Sequence, residues 1–197
     1  MSSTLAPLGL IPVRTGLTGA APSTIELIGG IQSGYASNLY IGQPVTMSGG
    51  YLVAATTGQD IWGVFAGCKY FPAGTIFAVD GYWPASTTVT TGSTIYAYVW
   101  LDPTTTYRIQ ASGSITQSQL NSTFDFTTAA IGTGDSLSGS SYASMSTTAN
   151  TTSGQTGQLR VTNLWDDQNN AWGDSYTWVE VQIARLQTVA DKQNNTN

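Results

Sequence analysis

The run Ile61-Trp62-Gly63-Val64-Phe65-Ala66-Gly67 is apolar almost without a break and carries two glycines. A short, doubly apolar segment of this kind reads as a buried strand whose glycines admit close neighbours. The flanking sequence repeats the theme of short strands parted by turns. Upstream, Ile25-Glu26-Leu27-Ile28 precedes Gly29-Gly30, Asn38-Leu39-Tyr40-Ile41 precedes Gly42, and Tyr51-Leu52-Val53-Ala54 follows Ser48-Gly49-Gly50. Downstream, Thr75 to Val79 reads as a strand closed by the turn pair Asp80-Gly81. Ile95, Ala97 and Val99 then alternate with Tyr96, Tyr98 and Trp100, which predicts a strand covered on both faces. Asp102-Pro103 marks a turn, and Tyr107 to Gln110 opens another strand. The fold class that follows is mostly β, with little helix: a small barrel- or sandwich-like domain over residues 25–110.

Around that domain the character changes. Residues 111–157 are dominated by Ser, Thr, Gly, Asn and Gln, with few core-forming residues in 132–157. They read as a β insertion or second β domain with one short helix near 118–124, because a structureless stretch this long is unusual in a compact domain. Residues 158–190 restore order, either completing the β core or forming a second β subdomain. There Val179, Val181 and Ile183 alternate with Glu180 and Gln182 in a one-sided strand. Residues 191–197 read as a polar tail.

Residues 1–24 read as an extended arm. Pro7, Pro12 and Pro22 interrupt helix, while Leu5, Leu8, Leu10, Ile11 and Val13 are too apolar for a segment left in water. The expectation is that the arm orders against a partner, Arg14 meeting an acidic group there; the alternative is an arm folded back on its own domain. If the first reading holds, deleting residues 1–16 leaves a folded protein.

Composition narrows the function. Only 9% of the 197 residues are charged and none is His, so the acids, bases and cations on which most active sites draw are scarce. The net charge of −5 and the dispersal of Arg14, Lys69, Arg108, Arg160, Arg185 and Lys192 argue against a nucleic-acid partner. No apolar run approaches the ~20 residues of a membrane helix, and the start of the chain lacks the pattern of a secretory signal. Cys68 is the single cysteine, which excludes an internal disulfide and fits synthesis in a reducing cytoplasm.

Each candidate site has a plainer reading beside it. Asp166-Asp167, Asn170 and Asp174 present oxygen ligands, but without EF-hand spacing they read as turn and cap residues, so no metal is expected. Asp60, Asp80, Asp102 and Glu180 offer no preferred pair for glycoside hydrolysis, and serine and Cys68 lack an imidazole base. No catalytic residue and no cofactor is therefore expected. Trp165 and Trp172 are candidates for a sugar-stacking platform, or else for core and interface anchors. The matches to the glycosylation sequon at Asn121, Asn150 and Asn194 are what a chain rich in Asn, Ser and Thr produces by chance.

Residues 40–84 carry a resemblance. Ile41-Gly42-Gln43-Pro44-Val45, Gly50-Tyr51-Leu52-Val53-Ala54, the run from Ile61 to Gly67, and Tyr82-Trp83-Pro84 follow one another in an order similar to the head-decoration (cement) proteins of tailed bacteriophages. The apolar, proline-broken start of the chain is similar too. The resemblance implies a β-rich homotrimer on the outer surface of a virion capsid, made in the host cytoplasm. Its arm would staple adjacent major capsid proteins, here through Leu5, Leu8, Leu10, Ile11, Val13 and Arg14. Residues 85–197 depart from short members of that family and would be an outer elaboration. The rival readings are a host-recognition or carbohydrate-binding module on a virion, an adhesin or pilus-type subunit, and a hydrolase with an unrecognised carboxylate pair.

Overall fold

The computed structural model describes residues 4–16, 19–128, 132–150 and 156–187. Its strands are β1 (Ile11–Thr15), β2 (Ile25–Ile28), β3 (Pro44–Ser48), β4 (Tyr51–Ala54), β5 (Gly63–Tyr70), β6 (Val79–Gly81), β7 (Tyr96–Trp100), β8 (Thr105–Gln110), β9 (Thr123–Phe126), β10 (Met145–Ala149), β11 (Leu159–Leu164) and β12 (Trp178–Ile183). One sheet runs β1-β8-β12-β11-β9-β10 and the other β2-β7-β5-β3-β4, with β6 paired to β5. All strand pairs are antiparallel, and both sheets end in edges instead of closing. The molecule is mostly β and sandwich-like.

The run that opens at Ile61 is central because its two faces serve two cores. Ile61 and Val64 pack with Tyr107, Ile109, Phe124, Val179 and Val181 of the first sheet. Phe65 and Cys68 point the other way, into a second cluster with Leu39, Leu52, Trp83, Ala97 and Val99. A strand buried on both faces has no room for alternation, hence the near-continuous apolar sequence. A Cβ on Gly63 would stand 2.5 Å from Val99 Cγ1 and 2.9 Å from the Trp100 carbonyl oxygen, so the close approach of β7 demands glycine there.

The sheets are also tied by polar contacts. Gln158 donates through Nε2 to the carbonyls of Thr56 (2.9 Å) and Gln59 (2.7 Å), while its Oε1 accepts from Phe126 N–H (3.2 Å). Arg185 Nε meets Asp60 Oδ1 at 3.0 Å, and the backbones of Ile61 and Gln187 are bonded at 2.7 Å.

Several sequence expectations are corrected. The chain changes sheets at Asp102-Pro103, where Asp102 Oδ1 accepts from Thr104 N–H at 2.8 Å, so β8 does not belong with 25–110. Within residues 111–157, β9 and β10 extend the first sheet, and Ile115, Phe124, Phe126, Ala143 and Met145 lie in its core. The helix near 118–124 is a single 3₁₀ turn, Gln117–Gln119. Asn38-Leu39-Tyr40-Ile41 forms isolated bridges to Trp83 and Ser140, and Asp80-Gly81 lies within β6 instead of closing a strand from Thr75. The tail 191–197 lies outside the described residues, as does most of the asparagine sequon at 150–152.

The largest correction concerns the arm. Residues 11–15 form β1, hydrogen-bonded along β8, and Leu10 is fully buried in the first core. Leu10 N–H donates to Gly42 O at 2.8 Å. Gly9 adopts φ 72°, and a Cβ there would come within 2.6 Å of that same oxygen. Gln110 Oε1 accepts from Ala6 N–H (2.7 Å) and its Nε2 donates to Thr4 O (2.8 Å). The segment folds back because β8 would otherwise leave a row of unpaired backbone groups and an uncovered core.

Candidate functional site

Trp165 follows β11 and Trp178 opens β12, so the loop between the two strands begins and ends on an indole. Asn170, at the middle of that loop, fixes both. Its Nδ2 donates to the carbonyls of Trp165 (2.7 Å) and Trp178 (2.8 Å), and its Oδ1 accepts from Trp178 N–H (2.9 Å). Trp165 N–H closes the loop onto Trp178 O at 3.1 Å.

Arg108 of β8 stands beside these rings. Tyr107 and Ile109 turn into the core, so Arg108 takes the opposite face. Its guanidinium carbon lies 5.0 Å from the Trp165 ring centroid and 5.9 Å from that of Trp178, both within cation–π reach. Arg108 Nε is buried without a hydrogen-bond partner. Glu180 is the residue directly opposite Arg108 in the β8–β12 register, but Arg14 takes its carboxylate, at 2.8 Å and 2.5 Å. That bidentate bond raises the pKa of Arg14. With Asp167, Asn169 and Leu8 these residues enclose an open cleft of about 300 Å³.

The residues singled out from sequence are thus dispersed. Trp165 lines the cleft, whereas Trp172 packs against the first core. Leu10 is core, Ile11 and Val13 are half-buried in β1, and Arg14 is engaged by Glu180. Leu5 and Leu8 remain exposed, at the rim of a groove that Tyr142 also lines. In the acidic loop, Asp167 Oδ1 accepts from Asn169 N–H (2.9 Å) and Asp174 Oδ2 from Ala171 N–H (3.0 Å), as turn caps do. Three of the four carboxylates weighed for hydrolysis have structural duties: Asp60 pairs with Arg185, Glu180 with Arg14, and Asp102 caps its turn. Cys68 is buried, which pushes its thiol pKa up to about 12, with a further contribution from the Asp80 charge. Arg108 and Trp178 escaped the sequence reading, since their meeting depends on the register of two strands far apart in sequence.

A second feature lies at the β5–β6 end of the other sheet. Ile76 and Phe77, in the connecting loop, are 85% and 76% exposed. Val79 borders a cleft of about 240 Å³ whose far wall includes Leu137, itself 96% exposed. Leu137 is held out on a turn capped by Asp135, whose Oδ1 accepts from Leu137 N–H at 2.9 Å. That bond and those to Ser138 hold the Asp135 carboxyl below its usual pKa. Among the described residues no helix is long and apolar enough to cross a membrane.

Comparison with protein-family models, with curated proteins and with solved structures finds no match for this chain.

Proposed function

We propose that this chain is a structural virion protein that decorates a tailed-phage capsid, bridging neighbouring major capsid proteins on the outer surface as a homotrimer. The observation that carries the reading is the apolar tip at the β5–β6 end, where Ile76, Phe77 and Val79 are exposed within four residues and Leu137 is exposed across the cleft that Val79 borders. Residues 76, 77 and 79 lie within 40–84, the stretch that resembles cement proteins. Covering an exposed Ile or Phe is worth about 1.5–3 kcal/mol each, so such a cluster is a docking surface in waiting. Three copies in one trimer multiply that weak contact through avidity. Leu5, exposed and held against the body by neighbouring backbone bonds to Gln110, supplies a second apolar contact without a free arm.

The test is co-sedimentation with empty capsids, alongside a mass measurement in solution. A trimer that sediments with particles, and a Phe77→Asp/Ile76→Asp variant that keeps its circular dichroism and trimer mass but stays in the supernatant, is the expected result. A folded monomer that ignores particles overturns the reading.

A further inference from the structure

The geometry points to a second site: the cleft formed by Arg108, Trp165 and Trp178 binds a carboxylate-bearing sugar residue. It does not depend on capsid docking, because the cleft and the apolar tip share no lining residue.

Arg108 carries an uncompensated charge. The ion pairs among the described residues are Arg14–Glu180 and Arg185–Asp60, so Arg108 has no carboxylate partner there. Its natural cross-strand mate, Glu180, is committed to Arg14. The guanidinium stands over two indole rings, and its Nε is buried without an acceptor. A cation desolvated in this way gains from an incoming anion at its remaining nitrogens, and the planar fork matches a carboxylate.

The rest of the cleft narrows the anion to a class. Indole faces favour ligands with C–H surface, as the apolar face of a pyranose has. Asp167 uses Oδ1 on Asn169 N–H, which leaves its second oxygen to accept from a hydroxyl. Phosphate lacks the C–H face, and acetate lacks the hydroxyls, that these groups would meet. A volume near 300 Å³ is at the small end of ligand pockets and suits one sugar residue of a longer chain. The site is also preorganised, because the Asn170 carboxamide locks the backbone at both indoles before any ligand arrives.

The experiment titrates the full chain with a galacturonic acid oligomer, with its neutral galactose counterpart, and with an acidic peptide. Binding is read by NMR at the indole N–H signals of Trp165 and Trp178 and at Arg108 Nε–H. The acidic oligomer is expected to shift these signals with an affinity at least roughly tenfold above that of the neutral sugar, since a charge-assisted bidentate pair is lost in the latter. Arg108→Lys keeps the charge and loses the fork; Trp165→Phe keeps an aromatic ring of smaller area. Each is expected to weaken the acidic oligomer by a similar factor at unchanged melting temperature. Equal affinity for the neutral sugar, preference for the acidic peptide, or no shift at millimolar oligomer with the folded protein overturns the proposal.

Discussion

Arg14 and Glu180 stand 166 positions apart in sequence, yet both carboxylate oxygens of Glu180 accept from the Arg14 guanidinium, at 2.8 Å and 2.5 Å. Arg14 belongs to the edge strand β1 and Glu180 to β12, so the side chain reaches over the intervening β8. The contact ties the start of the chain to the middle of a sheet, and it removes from Arg108 the acid that faces it in register.

Removing that tie exposes its worth. In Arg14→Ala the Glu180 carboxylate, only 7% exposed, is left without its partner. Because Arg14 itself is 39% exposed, the loss is that of a charged hydrogen bond at a half-open site, about 2 kcal/mol. Urea unfolding should show a lower midpoint with unchanged slope, and Glu180→Gln should lose less than Arg14→Ala. Equal stability of Arg14→Ala and the parent would show that the pair contributes nothing.

Truncation of residues 1–16 is expected to destabilise the protein, opposite to what a free arm implies. It strips β1 from β8 and removes the buried Leu10. Leu10→Ala alone should cost about 2–5 kcal/mol, as a core truncation does. Thermal unfolding followed by circular dichroism measures both; a truncated chain that melts with the parent would restore the arm.

Gln158 is a buried polar clasp between the sheets. Gln158→Leu leaves Phe126 N–H and the carbonyls of Thr56 and Gln59 without their acceptor and donor. Each orphaned group costs about 1–3 kcal/mol, so the variant should be among the least stable single substitutions in the chain. The check is the guanidinium midpoint of Gln158→Leu beside that of Thr162→Val, which loses one half-buried hydroxyl bond.

Stability should decline at alkaline pH. The Cys68 thiol titrates near 9.0 when unperturbed and near 12 in the folded protein, so folding favours its protonated form. Its contribution is complete below pH 9.0 and is lost as pH rises toward 12. Within that window the group removes roughly 1.4 kcal/mol per pH unit. Burial raises Tyr107 and Tyr70 as well, which steepens the fall above their ordinary range. Cys68→Ala should flatten the first part of the curve in urea titrations from pH 8 to 11. At pH 8 the native thiol should resist a thiol-specific reagent that labels the unfolded chain.

Local patterns carried much of the architecture. The alternation of residues 95–100 and 179–183 and the doubly apolar run at 61–67 are properties of single strands, and each is realised as a strand. The same reading failed where a partner supplied what the segment lacked. Ser- and Thr-rich residues near β9 and β10 become sheet because β11 offers them a hydrogen-bonding edge and a few buried anchors suffice. Thr75 to Val79 looked like a strand, yet Ile76 and Phe77 are left in a loop because β6 pairs only from Val79.

The candidate sites divide in the same way. Sparse charge, absent histidine and a solitary cysteine are facts of composition, legible in the chain alone. Which arginine is neutralised and which is left over is a matter of register: sliding β12 against β8 would exchange the neighbours of Glu180, Arg108 and Trp178. Whether residues 4–16 reach outward or fold home was likewise open in the chain itself. It was closed by the unpaired edge of β8, a group of donors and acceptors that exists only once the distant strands have come together.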